Sequence, residues 1–253
     1  MNKSIKIGSL FSGIGGFELG LERAIPNSST IWQVEQDKFC QKILNKHWPN
    51  AIIYDDVCTV GQHNLEPVDI LCGGFPCQDI SLAGQLGGIH GKKSGLWWQM
   101  HRIISELRPR IAVMENVSNL ITMGLPEVLG SLSEIGYNAE WTIISASQFG
   151  APHQRKRIFI VAYSMCTRSQ IRLPKKGRSN KERKSKESNY CNYRSHGWKA
   201  ESFWAAEPRI RRVDNGIPYR VDKLRALGNA IVAQCSEYIG QKIADSGLLD
   251  ELY

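Results

Sequence analysis

Several sequence features that would place the chain in other protein classes are missing from its 253 residues. No stretch approaches the roughly 20 apolar residues of a membrane-spanning helix, and the first residues lack the apolar run of a signal peptide. The seven cysteines include no Cys-x-x-Cys pair, which argues against a disulfide framework and a structural zinc site. We therefore expect a soluble, cytoplasmic protein with mostly reduced cysteines and no bound metal.

The net charge of +8 is concentrated in one segment. Residues 164–200 contain eleven Lys and Arg against two Glu, so this segment carries +9 and the rest of the chain carries −1. A basic insert on a nearly neutral body suggests a polyanionic partner, because phosphate contacts supply most non-specific nucleic-acid affinity. Charge alone leaves open a solvated, partly disordered loop with no such partner.

The first 163 residues alternate short apolar runs with amphipathic segments of helix length, which is typical of a doubly wound, mostly parallel α/β sheet. The predicted strands are Ile5–Phe11, Thr30–Val34, Ala51–Tyr54, Val68–Cys72, Ile111–Met114, Ala139–Ser145 and Ile158–Tyr163. The predicted helices are Gly16–Ala24, Lys38–His47, Leu96–Leu107 and Glu127–Ile135. Only a loop separates the last two strands, so we expect them to form an antiparallel pair.

Three regions are expected along the chain. Residues 1–163 form the α/β domain, residues 164–220 form a short basic region that is partly flexible, and residues 221–253 form helices that return to the first domain. In the last region we predict one helix over Val221–Leu227, a break at Gly228-Asn229, and a second helix over Ile231–Ile243. No internal repeat is visible.

A glycine-rich segment, LFSGIGGF at residues 10–17, follows the first predicted strand and opens a helix. Glycines let the backbone turn sharply and approach a ligand, and the helix N-terminus offers free amides. Glu35 ends the second strand, where an acid can accept hydrogen bonds from ribose hydroxyls. The glycine loop alone is weak evidence for a nucleoside cofactor, but the loop and the acid at this spacing favour one. Asp56, after the third strand, is placed to contact the adenine edge of such a cofactor.

The segment GGFPCQDIS at residues 73–81 places Cys77 just past the fourth predicted strand. Pro76 fixes the backbone ahead of Cys77, and the glycines leave the sulfur room for a substrate. The alternative is a buried cysteine that acts as a small apolar side chain. Glu115 at the end of the fifth strand, with Arg155 and Arg157 before the seventh, can converge with Cys77 on one ligand.

Five blocks in this order resemble the DNA cytosine-5 methyltransferase family. They are FSGIGG at 11–16, FPCQ at 75–78, ENV at 115–117, QRKR at 154–157 and GNA at 228–230. The resemblance implies a class I S-adenosylmethionine-dependent fold and methyl transfer to carbon 5 of a flipped-out cytosine. It makes Cys77 the nucleophile toward carbon 6 and Glu115 the group that protonates or hydrogen-bonds ring nitrogen 3. Arg155 and Arg157 would hold the base and the sulfur site.

The resemblance also assigns a pocket for S-adenosylmethionine. The implied residues are Phe11, Gly13, Ile14 and Gly15 in the loop, Glu35 at the ribose, Asp56 and Val57 at the adenine, Pro76 and Leu96 in the wall, and Asn229 and Ala230 near the C-terminus. The implied partner is double-stranded DNA, and the protein is expected to bind it as a monomer. Whether a cognate restriction endonuclease accompanies the protein stays open. The expected DNA contacts are Ser81 and Lys93 in the loop after Cys77, and Lys175, Lys176, Arg178 and Lys181 in the basic region.

Two rival interpretations remain. One is a transfer-RNA cytosine-5 methyltransferase of the same architecture, although Gln78 after the Pro-Cys pair resembles the DNA branch. The other is a non-catalytic DNA-binding relative, which the intact set of Cys77, Glu115 and both arginines disfavours.

Overall fold

The computed structural model describes residues 4–76, 95–164 and 226–249. Its strands are β1 Ile5–Leu10, β2 Ser28–Val34, β3 Ile52–Tyr54, β4 Ile70–Gly74, β5 Ile111–Val117, β6 Tyr137–Ser145 and β7 Lys156–Ser164. Its helices are α1 Gly16–Ala24, α2 Lys38–His47, α3 Leu96–Leu107, α4 Leu120–Met123, α5 Leu125–Glu134 and α6 Ala233–Asp245.

The described strands form one sheet in the order β3-β2-β1-β4-β5-β7-β6. Strands β1 to β5 pair in parallel, whereas β7 runs antiparallel to both β5 and β6. This topology confirms the predicted doubly wound, mostly parallel sheet with an antiparallel addition. The strand order reverses between β1 and β4, and α/β sheets bind ligands outside the carboxyl ends of the strands at such a reversal.

Several strands begin or end at other residues than the sequence predicts, because pairing with neighbouring strands fixes their ends. Strand β4 begins at Ile70 and includes Gly73 and Gly74, which the sequence pattern places in the loop after it. A Cβ atom on Gly73 would lie 2.6 Å from the Leu10 carbonyl oxygen, so only glycine allows β1 to approach this closely. Strand β5 continues to Val117 because its last residues pair with β7.

Two buried apolar clusters cover the two faces of the sheet. One joins the sheet to α3 and α5, and the other joins it to α1 and α6. Helices α1 and α6 approach closely at Gly20, where a Cβ atom would lie 2.1 Å from Ser236 Oγ. The C-terminal helix therefore packs onto the first helix of the α/β domain.

The C-terminal segment differs from the prediction in where the helix is interrupted. The chain is helical over 226–229, so Gly228 and Asn229 lie within the helical turn and not in the break. The break falls at 230–232, and α6 begins at Ala233 instead of Ile231. The expected division of the chain at 163 and 220 stays a prediction, since residues 165–225 lie outside the described residues.

Among the helices that the structure describes, none has the length and apolar character needed to cross a membrane.

Candidate active site

A cleft of about 360 Å³ opens at the carboxyl edge of the parallel strands. Its volume falls within the roughly 300–1,000 Å³ that is usual for small-molecule sites. The predicted site residues that line it are Phe11, Gly13, Glu35, Val57, Pro76, Leu96, Glu115, Arg155, Arg157 and Asn229. Its lining also includes residues to which the sequence assigns no site role, among them Val34, Gln36, Asp37, Cys40, Asp55, Gly74, Phe75, Asn116, Val117, Ala226 and Gly228. The structure therefore brings members of both predicted groups, catalytic and cofactor-binding, to one cleft.

The glycine loop is fixed by the carboxylate of Glu35. The Gly13 amide donates to Glu35 Oε2 at 2.7 Å, and the Asp37 amide donates to Glu35 Oε1 at 2.8 Å. Each oxygen keeps a further lone pair for a ligand hydroxyl. Gly13 has a φ of +56° and no atom within 4 Å of where a Cβ would stand, so the loop leaves open space toward the cleft.

Phe11 and Gly15 show that the loop is built under steric constraint. Phe11 has a φ of 55°, a left-handed conformation that non-glycine residues adopt at a cost and that is common at functional sites. Gly15 does not line the cleft, and a Cβ there would lie 2.3 Å from the Trp48 ring. Gly15 is thus required by packing against Trp48, and its neighbour Ile14 also stands outside the lining.

The turn after β3 brings Asp55 and Val57, but not Asp56, to the lining of the cleft. The Asp56 carboxylate accepts a hydrogen bond from the Cys58 amide at 2.9 Å and so caps the short turn Val57–Thr59. The Asp55 carboxylate accepts from Lys38 Nζ at 2.7 Å. The expected contact of Asp56 with adenine stays a prediction, and the carboxylate on the cleft wall belongs to its neighbour.

Asn116 holds the backbone that leads to Cys77. It is 2% exposed, and its Nδ2 donates to the Phe75 carbonyl oxygen at 3.2 Å. The Phe75 ring packs against Trp97 with 5.1 Å between ring centroids. In the sequence Asn116 stands out only as part of the ENV block, which does not predict this positioning contact between the ends of β4 and β5.

Glu115 and Arg157 form an ion pair at the end of β5. Arg157 Nε lies 2.9 Å from Glu115 Oε1, because antiparallel β7 begins at the edge where β5 ends. Burial raises the pKa of Glu115 to about 7, although Arg157 and Arg155 lower it in part. A carboxyl group with this pKa carries a proton for part of the time near neutral pH, as a general acid requires.

Arg155 lines the cleft, but its guanidinium group is hydrogen-bonded to the C-terminal segment. Its Nη1 donates to the Gly228 carbonyl at 2.9 Å and its Nη2 to the Ala230 carbonyl at 2.8 Å. These contacts tie the segment before α6 to the start of β7. Ala230 is not among the residues that line the cleft. Burial and the neighbouring Arg157 lower the pKa of Arg155. Its expected role in holding the base stays a prediction.

The remaining predicted residues lie outside the described residues. They are Cys77, Ser81, Lys93, Lys175, Lys176, Arg178 and Lys181. The residues that the structure does describe contain no group of three or more His, Cys, Asp or Glu that is arranged to hold a metal ion.

A family model described as C-5 cytosine-specific DNA methylase matches residues 5–212. The chain belongs to this family. It is 36% identical over 182 residues to the type II methyltransferase M.Sau3AI of Staphylococcus aureus, in a match that covers 64% of this chain and 44% of that protein. It is 32% identical over 165 residues to M.Bsp6I of Bacillus sp. (strain RFL6), covering 63% of this chain and 52% of that protein.

This member of the cytosine-5 methylase family spans about half the length of the curated relatives it matches. Among solved structures, the Entamoeba histolytica methyltransferase EhMeth superposes with a TM-score of 0.59 at 21% identity. The match covers 70% of this chain and 58% of that chain. The similarity shows the fold, which is that of class I S-adenosylmethionine-dependent methyltransferases.

Replacement of Glu35 tests the cofactor end of the cleft. We expect Glu35→Ala to weaken S-adenosylmethionine binding at least about tenfold, because it removes a ligand acceptor and releases the Gly13 and Asp37 amides. The choice of DNA sequence should not change. Calorimetry of cofactor binding and a DNA-binding assay measure the two effects, and an unchanged cofactor affinity would remove Glu35 from the pocket.

Proposed function

We propose that the chain transfers a methyl group from S-adenosylmethionine to carbon 5 of cytosine in double-stranded DNA, through a covalent bond to Cys77. One observation carries the proposal: the cleft holds the Glu35-bound glycine loop and also the Glu115–Arg157 pair. Pro76, the residue before Cys77, lines the same cleft. A cofactor bound at the glycine loop and a cytosine bound at Glu115 would therefore meet in one space. The proposal includes that the protein acts as a monomer in the cytoplasm.

The cofactor end of the cleft suits S-adenosylmethionine. Gly13 leaves open space in a left-handed turn, Glu35 offers carboxylate lone pairs for ribose hydroxyls, and Val57 and Leu96 supply apolar walls. The bound cofactor supplies an electrophilic methyl group. The residues of the chain are then left to bind it, to exclude water and to activate the cytosine.

Carbon 5 of cytosine is too weak a nucleophile to accept a methyl group unaided. Attack of the Cys77 thiolate on carbon 6 forms a carbon–sulfur bond and moves electron density through the ring toward nitrogen 3 and oxygen 2. Asn116 holds the Phe75 carbonyl, which lies two residues before the nucleophile. Positive charge from Arg157 favours the thiolate form of Cys77.

Glu115 is placed to stabilise the negative charge that develops on the ring. In its protonated form it donates to ring nitrogen 3, and Arg157 orients its carboxyl group through the 2.9 Å contact. After carbon 5 gains its methyl group, loss of the carbon 5 proton to a base expels the Cys77 thiolate and restores aromaticity. Nitrogen 3 then gives its proton back to the Glu115 carboxylate, which restores the protonated donor.

The cytosine reaches this cleft only when it leaves the helical stack, which costs a few kcal/mol. Residues 164–200 carry a charge of +9 and would offset part of that cost through phosphate contacts. The Gly-rich stretch that contains Ser81 and Lys93 would add contacts close to the flipped base.

Transfer of a labelled methyl group to duplex DNA and to transfer RNA tests the proposal directly. We expect incorporation into duplex DNA alone, and bisulfite sequencing of host DNA after expression should show protected cytosines in a defined context. Incorporation into transfer RNA alone would favour the rival RNA methyltransferase. Incorporation into neither, with DNA still bound, would favour a non-catalytic relative.

The basic run between Lys175 and Lys186 should act on affinity and not on sequence choice. Neutralising its Lys and Arg residues should weaken binding to all duplexes alike, and removal of each phosphate-binding cation should reduce the slope of log affinity against log salt by about 0.9. Salt titrations on a methylatable duplex and a scrambled duplex measure this. Equal slopes with a collapse of discrimination would mean that the run contacts bases.

A further inference from the structure

A buried polar cluster lies beneath the glycine loop, and no step of the proposed reaction uses it. It consists of Ser9 on β1, Ser12 in the loop, Glu18 in the first turn of α1 and Gln33 on β2. Ser9, Glu18 and Gln33 are 0% exposed and Ser12 is 8% exposed. A fully buried carboxyl group needs a physical explanation, since burial of an unpaired charge is costly.

The hydrogen bonds of the cluster leave two acceptors without a donor. Gln33 Nε2 donates to Glu18 Oε1 at 3.1 Å, and Ser12 Oγ donates to Ser9 Oγ at 2.9 Å. Glu18 Oε2 and Gln33 Oε1 have no hydrogen-bond partner among the described residues. When Glu18 is ionised, both of these oxygen atoms can only accept hydrogen bonds. Buried acceptors without donors destabilise a fold.

A single proton on Glu18 would remove both deficits. A neutral carboxyl group and a primary amide are complementary, because the amide N–H donates to one carboxyl oxygen while the acid O–H donates to the amide oxygen. Burial raises the pKa of Glu18 above its ordinary value, and the polar side chains of Ser9, Gln33 and Ser12 around it only partly oppose this. Burial likewise raises the pKa of Cys72 on β4 well above its ordinary value.

We infer that Glu18 is a positioning residue for the cofactor loop and that it acts as a neutral acid whose proton is shared with Gln33. The cluster joins α1, β1 and β2 directly behind Ser12, whose amide also donates to the Val34 carbonyl at 3.1 Å. Ser12 is followed by Gly13, the residue that Glu35 holds. The inference rests on the proposed function, because the loop it supports is the expected binding site of S-adenosylmethionine.

The test compares Glu18→Gln with Glu18→Leu in the full chain. Gln can donate to Gln33 Oε1 and accept from Gln33 Nε2, so Glu18→Gln should keep the cofactor dissociation constant within about threefold of the wild-type value. Leu can do neither, so Glu18→Leu should raise that constant at least about tenfold. If Glu18→Leu does not fold, Ser12→Ala provides a second variant. Its affinity should fall about fivefold, beyond the roughly threefold change allowed to Glu18→Gln, because Ser9 Oγ loses the donor that links it to the loop.

Urea unfolding from about pH 5 to about pH 8 tests the charge state. An acid whose folded pKa lies above its ordinary value of 4.5 contributes stability that is full below 4.5 and is lost as pH rises toward the folded pKa. The unfolding midpoint of the wild type should therefore fall with pH relative to that of Glu18→Gln. Glu134→Gln, the same change at an exposed position of α5, should follow the wild type.

The outcomes separate this inference from the proposed function. If the wild type binds the cofactor and Glu18→Gln binds it as weakly as Glu18→Leu, an ionised Glu18 is required and the inference fails. Parallel pH profiles for wild type and Glu18→Gln overturn the neutral pair. Absence of S-adenosylmethionine binding by the wild type overturns the proposed function and the positioning role of Glu18. The pH dependence of unfolding still tests whether Glu18 and Gln33 form a neutral pair, because it does not depend on the cofactor.

Discussion

Replacement of Cys77 by Ser is expected to reduce methyl transfer at least about 1,000-fold, because a hydroxyl group is far less nucleophilic toward carbon 6 than a thiolate. Cofactor affinity should stay within about threefold of the wild-type value, since the sulfur acts on the base and does not hold the nucleoside. Single-turnover transfer of a labelled methyl group and calorimetry measure the two quantities separately.

A duplex with 5-fluorocytosine at the target position makes the covalent step visible. Fluorine at carbon 5 does not leave as a cation, so the adduct cannot collapse and a complex stable to denaturant should accumulate with the wild type. Cys77→Ser should form none. Cys58→Ser is the matched control, since Cys58 is exposed and stands outside the lining of the cleft. Near-normal methylation by Cys77→Ser would rule out the covalent mechanism.

Replacement of Glu115 by Gln is expected to lower kcat by about 100-fold to 10,000-fold, the range typical for removal of a general acid or base. The amide keeps a hydrogen-bond donor for ring nitrogen 3 but cannot transfer a proton to it. Glu134→Gln, at an exposed position of α5, controls for removal of a carboxyl group and should leave kcat unchanged.

The pH dependence of the wild type carries the signature of Glu115. Since the donor must hold its proton and its pKa is about 7, kcat/KM should decline as pH rises through that value. Glu115→Gln should lose the declining limb. A declining limb that persists in this variant would assign the proton transfer to another group.

The sequence predicted the first three helices with the bounds that the structure shows, Gly16–Ala24, Lys38–His47 and Leu96–Leu107. Helical periodicity is local, because residues three and four apart share a face wherever the helix packs. Strand ends were predicted less well. Strand β5 reaches Val117 because β7 pairs with it, and that partner lies about 40 residues further along the chain.

The candidate site shows the same division between what local sequence patterns predict and what contacts between distant residues decide. The motifs identified Glu35, Glu115 and Arg157 as site residues, and the structure places all three on one cleft. The motifs did not predict that Asn116 holds the Phe75 carbonyl, or that Asp55 supplies the carboxylate that the turn after β3 adds to the lining. Such contacts depend on how two strand ends or turns meet in space.

By itself, the sequence determined the α/β order of elements, the family and the residue types available for chemistry, because these follow from local patterns and from ordered motifs. Only the tertiary structure decided the protonation behaviour of the acids. Glu115 has a pKa of about 7 and Glu18 a raised pKa because both are buried by elements distant in the chain, whereas Glu35 is fixed by two backbone amides. Burial and pairing are properties of packing, and for this reason we expect chemically identical carboxyl groups to act as a proton donor, a neutral support and a ligand acceptor.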